Sequence, residues 1–548
     1  MKKRLLSLAV VLCMLVSLMP MTAFAASAFS DMPNDYSTAA LENAVANGLL
    51  KGADGKILPN NNLTRAQMAA VIVRAFGATK EASLTSYKDA NANAWYYSEM
   101  SKAVYMKALN GSDGKLMPND NITREQVFAV IARAMNLASG TAADLASYTD
   151  TATGSAWAIG TTAAMVKNGF VHGANGKLNP TANITRKEFA VVMDNVIKQY
   201  ISKASSYSKV SDGSVMINAA GVTLKDVTIT GNLIIGDGVG DGNITLENVI
   251  VKGATIVRGA GTHSLVVKGS SSLGTISIAK VDGNVRVAVE GDAKVSVVEI
   301  NDGKNDVIVE GKVGTVSVAS SDTPVVVQNA TVAKVELKAE NANVTVAKTA
   351  TVDTVSAEAP KADVKVEGTV KTVSTTVAAA GAKVEVAKGA TVETVNAAAA
   401  GTAISGEGTV KNANVTANNV KVDTTGTKAT VSQGVTGTTS GGKNVAGGST
   451  STTTGTGTTT TPSGGSTGGG GTGSSDTAIT GLEIQDDAAV GSVVTIKKIT
   501  SGTNVKYQWQ SADSASANTW TDIKDGTSNI LVGVPNGLDG KYKCFRSY

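Results

Sequence analysis

Three strings decide how the first part of this chain folds: NLTRAQ (residues 62–67), NITREQ (121–126) and NITRKE (183–188). Each is Thr-Arg-x-Gln/Glu running into an apolar stretch. Threonine followed three residues later by Gln or Glu is a capping box. The hydroxyl accepts from the amide of the third helical residue, whose side chain reaches back to the threonine amide. Such a cap is worth about 0.5–2 kcal/mol. Thr64, Thr123 and Thr185 therefore mark helix starts. The arginines between, Arg65, Arg124 and Arg186, stand at the first helical position, where the macrodipole disfavours a cation by about 0.3–1 kcal/mol. Capping asks for no arginine there. Either each guanidinium is solvated or paired with a carboxylate such as Asp31, or it is held at a groove to receive an anion in a forked grip.

Working outward, the strings are the ends of repeats of about 60 residues. Align the chain on Gly52, Gly111 and Gly173. A proline then follows seven residues later (Pro59, Pro118, Pro180), and the threonine twelve later. An aromatic stands sixteen before (Tyr36, Trp95, Trp157), and an aromatic-x-Asp opening sets Asp31, Asp89 and Asp150. Asp54-Gly55, Asp113-Gly114 and Asn175-Gly176 are turn signals. STAALENAVANGLL (residues 37–50) has helical apolar spacing ending at a glycine, and Met68, Val71, Ile72 and Ala75 share one face of the next helix. Each unit reads as helix, loop, helix.

These motifs resemble three S-layer homology domains, at 29–80, 87–140 and 148–203. The resemblance implies an α-helical pseudo-trimer whose inter-repeat grooves bind secondary cell-wall polysaccharide, an acidic and often pyruvylated polymer. By that resemblance the ligand-binding residues are Arg65, Arg124 and Arg186, the acids Asp31, Asp89 and Asp150, the aromatics Tyr36, Trp95 and Trp157, and the glycines Gly48 and Gly169. Lys107 stands where the second unit should have the glycine, Tyr36 replaces a tryptophan, and two of the three caps carry glutamine. These departures imply unequal grooves. The chemistry agrees, because a pyruvate ketal is a carboxylate on a sugar and calls for a forked cation beside an aromatic wall.

From about 215 to 430 the period changes. Val/Ile/Leu-x-Val/Ile/Leu pairs recur about every 20 residues, as in VTVAKTATVDTV and VEVAKGATVETV. Period-2 β-branched strands repeated at that interval predict a parallel β-helix or solenoid. Ten coils at about 4.8 Å make a rod of about 50 Å. A polysaccharide lyase or hydrolase on such a rod would need clustered carboxylates and aromatic platforms. No Phe, Tyr or Trp occurs between Tyr207 and Tyr507, and His263 is the one histidine there. No catalytic residue, cofactor or metal site is expected. In GDGVGDGN (residues 236–243), Asp237, Asp241 and Asn243 could offer oxygens to calcium, but their spacing fits neither an EF-hand nor the nonapeptide repeat, which favours a glycine turn. Lys334, Lys371 and Lys411 read as charged edges against strand addition.

Residues 432–476 are Gly, Ser and Thr with little else and read as a flexible linker. Residues 477–548 resemble a bacterial immunoglobulin-like β-sandwich, with Trp509 inward and Tyr542 two before Cys544. At 72 residues this sandwich is expected to be partial.

The chain opens with Lys2-Lys3-Arg4, an apolar run and Ala23-Phe24-Ala25, the form of a secretory signal peptide over 1–25. Its removal leaves 46 basic against 45 acidic residues, a balance that gives no electrostatic case for nucleic acid or an anionic membrane. One cysteine remains, Cys544, so no intramolecular disulfide forms. The expectation is a multidomain, secreted, non-enzymatic protein of the cell wall or surface layer, without membrane insertion and able to self-assemble in a surface layer. The alternatives are a wall-anchored polysaccharide-acting enzyme and an adhesin working through the C-terminal module.

Overall fold

The computed structural model describes residues 29–453, apart from Ser264 and Asp322, and six short strands between 483 and 545. The signal-peptide reading, most of the linker, and the side chains behind the immunoglobulin-like reading lie outside the described residues.

The helical part contains α1 (Thr38–Ala46), α2 (Arg65–Phe76), α3 (Tyr97–Tyr105), α4 (Arg124–Ala134), α5 (Ile159–Lys167) and α6 (Arg186–Val196). The second helix of each repeat starts at its cap. Thr64 Oγ1 accepts from Gln67 N at 3.2 Å and Gln67 Oε1 accepts from Thr64 N at 3.2 Å. Thr185 N donates to Glu188 Oε2 at 2.8 Å. In the second repeat only the bond from Thr123 N to Gln126 Oε1 is made, at 3.4 Å, and the buried Thr123 hydroxyl accepts no amide, short of the full cap the sequence predicts.

The repeats close a ring. Leu63 N donates to Ile184 O, Ile184 N to Ile122 O and Ile122 N to Leu63 O, at 2.9–3.1 Å. Around it, the first helical amides find acceptors in the next repeat. Arg65 and Ala66 donate to the carbonyls of Asp120 and Pro118, Arg124 and Glu125 to Ala182 and Pro180, Arg186 and Lys187 to Asn61 and Pro59. Amides that a helix leaves unsatisfied at its start are thus spent between repeats. Helix packing follows the same order: α3 lies on α2, α5 on α4 and α1 on α6.

The chain then winds into a parallel β-solenoid. Its first strand, Gln199–Ile201, pairs in parallel with Val215–Ile217, so the coils begin inside the span read as the third repeat. In the later coils one inward column runs Val344, Val364, Val384, Ile404 and another Val352, Val370, Val392, Val410. Alternating valines are buried and the residues between them face out. Residues 432–453, expected as linker, instead close the far end: Thr450–Thr452 returns antiparallel on 428–430, and Thr439–Ser440 pairs antiparallel with Lys443–Asn444. Small Thr and Ser side chains fill this end, with Ser440, Thr438 and Thr453 buried. That is why composition alone concealed it.

The first coils break the alternation. Val215–Ile217, Leu233–Ile235 and Thr255–Val257 are buried at every position. Their middle residues, Met216, Ile234 and Ile256, stack in register and enter the core of the helical part. A strand covered on both faces loses its polar alternation. The helical repeats and the solenoid therefore share an apolar contact along this column.

The six described strands between 483 and 545 belong to a second unit of the chain. Its described backbone holds two antiparallel three-stranded sheets, one with Gln508–Ser511 between Thr521–Asp522 and Tyr542–Phe545.

Candidate functional site

Each cap arginine reaches into the following repeat. Arg65 donates from Nε to Leu116 O at 2.8 Å, from a terminal nitrogen to Asn110 O at 3.0 Å, and to Gln126 Oε1 at 3.3 Å. Arg124 donates to Leu178 O at 2.7 Å and to Glu188 Oε1 at 3.4 Å. Arg186 donates to Ile57 O at 2.8 Å and Lys51 O at 2.9 Å. Repeat one grips two, two grips three, and three grips one. The guanidinium turns away from its own helix start toward a neighbour's carbonyls, which answers the dipole objection. Burial lowers the pKa of Arg65, only 6% exposed, while Asp120 and Asp89 oppose that shift. Burial likewise lowers Arg186, opposed by Asp31.

The opening acids are spent inside their own repeats. Asp31 accepts from Ile57 N and Leu58 N at 2.6 and 2.9 Å, Asp89 from Leu116 N and Met117 N at 2.8 and 2.7 Å, Asp150 from Leu178 N and Asn179 N at 2.9 and 2.6 Å. The second residue of each pair is left-handed: Leu58 at φ 55°, Met117 at 54°, Asn179 at 49°. The carboxylate holds the loop whose carbonyl, one residue earlier, holds the arginine. Burial raises each of these pKa values, but the two amide bonds outweigh it and the net shift is downward. Gly48 and Gly169 end α1 and α5 in left-handed turns, at φ 67° and 70°. Lys107 takes the same conformation at φ 58°.

The aromatics stand in the open: Tyr36 is 68%, Trp95 62% and Trp157 55% exposed. Tyr36 and Trp157 each line a groove made by other repeats. One groove of about 440 Å³ is lined by Arg65, Asn110, Gln126, Arg133 and Trp157. Another, of about 430 Å³, is lined by Arg124, His172, Glu188, Asn195 and Tyr36. Repeat i gives the arginine, repeat i+1 the loop and helix wall, and repeat i+2 the aromatic. The sequence reading took Gln126 and Glu188 as caps, and Arg133 and Asn195 escaped it. Their common register, Arg133 and Asn195 each nine residues beyond the cap arginine, was available in the alignment.

The S-layer homology domain family matches residues 28–69, 86–128 and 147–190. The chain carries three S-layer homology domains. The Surface-layer 125 kDa protein of Lysinibacillus sphaericus is 32% identical over 169 residues, covering 30% of this chain and 14% of that one. The Amylopullulanase of Thermoanaerobacterium thermosulfurigenes is 28% identical over 183 residues, 31% of this chain and 10% of the relative. The Exoglucanase XynX of Acetivibrio thermocellus is 25% identical over 177 residues, 31% and 16%. The chain thus spans between a tenth and a sixth of the length of these curated relatives, in matches the size of the S-layer homology triplet. Such a triplet implies cell-wall anchoring, and the chain is a secreted cell-wall or surface-layer protein.

A second cluster of charge lies where the S-layer homology domains meet the solenoid. Asp237, Asp282, Arg258, Lys280, Lys80 and Tyr105 line a cavity of about 40 Å³, room for little more than one water. Arg258 Nε donates to Asp237 Oδ2 at 2.7 Å, and Lys280 Nζ to Asp241 Oδ1 at 2.6 Å. Lys80 pairs with Asp282. Within the glycine string Gly238 is required here, since a Cβ would stand 2.7 Å from the Asn218 carbonyl oxygen and 3.2 Å from the Gly77 Cα at the end of α2. Its two aspartates face cations. Among the described residues no group of three or more His, Cys, Asp or Glu could hold a metal ion.

Proposed function

We propose that the chain anchors itself non-covalently to the cell wall by taking an acidic, pyruvylated secondary cell-wall polysaccharide into the grooves between its S-layer homology domains. The observation that supports this most is the pairing, in each defined groove, of a guanidinium on the wall with an exposed aromatic ring from a third repeat. Sugar rings bury an apolar face against an aromatic, while the ketal carboxylate takes the charge-assisted bonds. Arg65 uses three of its N–H groups on protein acceptors, and a guanidinium has five, so donors remain for a ligand. In this reading Asp31, Asp89, Asp150, Gly48 and Gly169 position the groove. The solenoid is a spacer seated on the anchor, and copies held on one wall could pack into a layer.

The test is retention of the full chain on purified wall sacculi before and after acid removal of the secondary polymer. The arginines hold the ring together, so their loss would confound folding with binding. The exposed rings avoid this. Tyr36→Ala, Trp95→Ala and Trp157→Ala together should abolish retention and leave the fold intact. Equal retention on stripped sacculi would contradict the proposal.

A further inference from the structure

One buried carboxylate behind the Arg65 groove takes no part in the cap or in the arginine grip. Glu125, the second residue of α4, is only 4% exposed and stands outside the groove lining. Burying an ionised carboxylate is costly unless hydrogen bonds replace its water. Here one residue supplies them: Ser155 N donates to Glu125 Oε2 at 2.9 Å, and Ser155 Oγ donates to Glu125 Oε1 at 2.7 Å. Both oxygens accept, as the ionised form requires, and a helix start favours the negative charge.

These two bonds hold the backbone that carries Trp157. Ser155 opens the single 3-10 turn Ala156–Ala158, where Ala158 N donates to Ser155 O at 2.9 Å. The Ser155 hydroxyl makes no cap to that turn and is spent on Glu125 instead. Trp157 is 55% exposed, so packing covers less than half of it. Next to Glu125 stands Gln126, whose Oε1 accepts from Arg65 at 3.3 Å. Consecutive side chains of α4 therefore hold the two sides of one groove, the guanidinium through Gln126 and the aromatic through Glu125. The third repeat does the same with other chemistry. Lys187, at the position of Glu125, pairs with Asp35 at 3.2 Å and lies 5.7 Å from the centroid of the adjacent Tyr36 ring. Ala66 stands at that position in the first repeat and has no polar group to offer.

Resting on the anchoring reading above, we infer that Glu125 is a positioning residue for binding: it touches no ligand, and it fixes the Trp157 ring relative to the Arg65 guanidinium by holding Ser155 from the helix behind. The second helical position, rather than the cap or the arginine, then sets how firmly the ring of the next repeat is held. With this clamp made, the ring is ordered before a sugar arrives, and binding does not bear the cost of ordering it.

Two substitutions in the full-length chain test this, Glu125→Gln, which keeps the shape but cannot accept at both ends, and Ser155→Ala, which leaves Glu125 in place and removes one bond. The clamp itself is read without ligand. Amide exchange at Ser155 should quicken by about tenfold or more in Glu125→Gln, and the fluorine resonance of 5-fluorotryptophan at position 157, assigned with Trp157→Phe, should shift and broaden in both variants. Binding is read by titrating wall polymer released from sacculi. Glu125→Gln should weaken it by about three- to tenfold in the wild-type background and by less than about twofold in a Trp157→Ala background, because a residue that acts through the ring has nothing to act on once the ring is gone. An unchanged Trp157 resonance and Ser155 exchange rate, or an equal loss of affinity in both backgrounds, would overturn the inference and leave the anchoring reading standing. A wild type that does not bind the polymer, with the Trp157 resonance still shifted by Glu125→Gln, would overturn the anchoring reading instead.

Discussion

Replacing Arg258 by methionine should separate the helical triplet from the solenoid. Arg258 is 4% exposed. Its guanidinium pairs with Asp237 at 2.7 Å, donates to the carbonyls of Met106 at 3.0 Å and Ala134 at 3.3 Å, and lies 5.7 Å from the Phe76 ring centroid. Those carbonyls belong to the ends of α3 and α4, where acceptors lack helical partners. Methionine fills much of the volume but leaves Asp237 an unpaired, mostly buried carboxylate. Removing one member of a buried pair costs about 3–5 kcal/mol, a large share of the about 5–15 kcal/mol that holds a domain folded. Native-state hydrogen exchange reads this locally. The amides of Arg258 and Gly259, both bonded to Ile235 O, should lose about 3–5 kcal/mol of opening free energy. Amides such as Asp363 and Lys383, far along the coils, should not change. Asp237→Asn in the same chain should restore part of the loss, because no charge is then stranded. A loss under about 0.5 kcal/mol at Arg258 would show a wet junction and refute this account of it.

Three further outcomes follow from the same geometry. Asp31, Asp89 and Asp150 have folded pKa values below the unfolded value of about 4. Their stabilisation is present above that pH and is lost as pH falls through the folded values, so the thermal midpoint of the helical part should drop steeply below about pH 4. Asp89→Asn should lower the neutral-pH midpoint and flatten that slope. Thr185→Ala should destabilise by about 1 kcal/mol in urea titration, since it removes the hydroxyl that takes the Glu188 amide. Lys107→Gly relieves a left-handed lysine, worth about 1–2 kcal/mol, and loses an exposed pair with Asp302 at 2.7 Å, worth about 0.2–1 kcal/mol. The net effect should be a small gain in the same titration.

Local grammar was legible because it is written locally. The capping threonines, the turn glycines and the valine alternation each depend on neighbours a few residues away, and the elements appear where those signals stand. What periodicity does not encode is the rotation between repeats. Nothing in NITREQ says that Arg124 will find Leu178 O, or that the ring beside it will be Tyr36 from the first repeat. The acids were expected in the groove by resemblance alone, and the alignment gave no sign that each would also accept two backbone amides of its own loop. One non-local signal was present and unread. Val215-Met216-Ile217, Leu233-Ile234-Ile235 and Thr255-Ile256-Val257 lack the alternation of the later coils, and an unbroken apolar strand announces a second covered face. The closing turn at 432–453 was hidden because Gly, Ser and Thr give the same composition to a linker and to a tight end coil.

The central claim is that the grooves take an acidic sugar by its carboxylate. Titration of the full chain with wall polymer released from sacculi, beside the same polymer after chemical reduction of its carboxyl groups, tests that most directly. The account predicts saturable binding to the native polymer and a loss of at least about tenfold on reduction, the size of one charge-assisted contact. Equal binding of native and reduced polymer would contradict it.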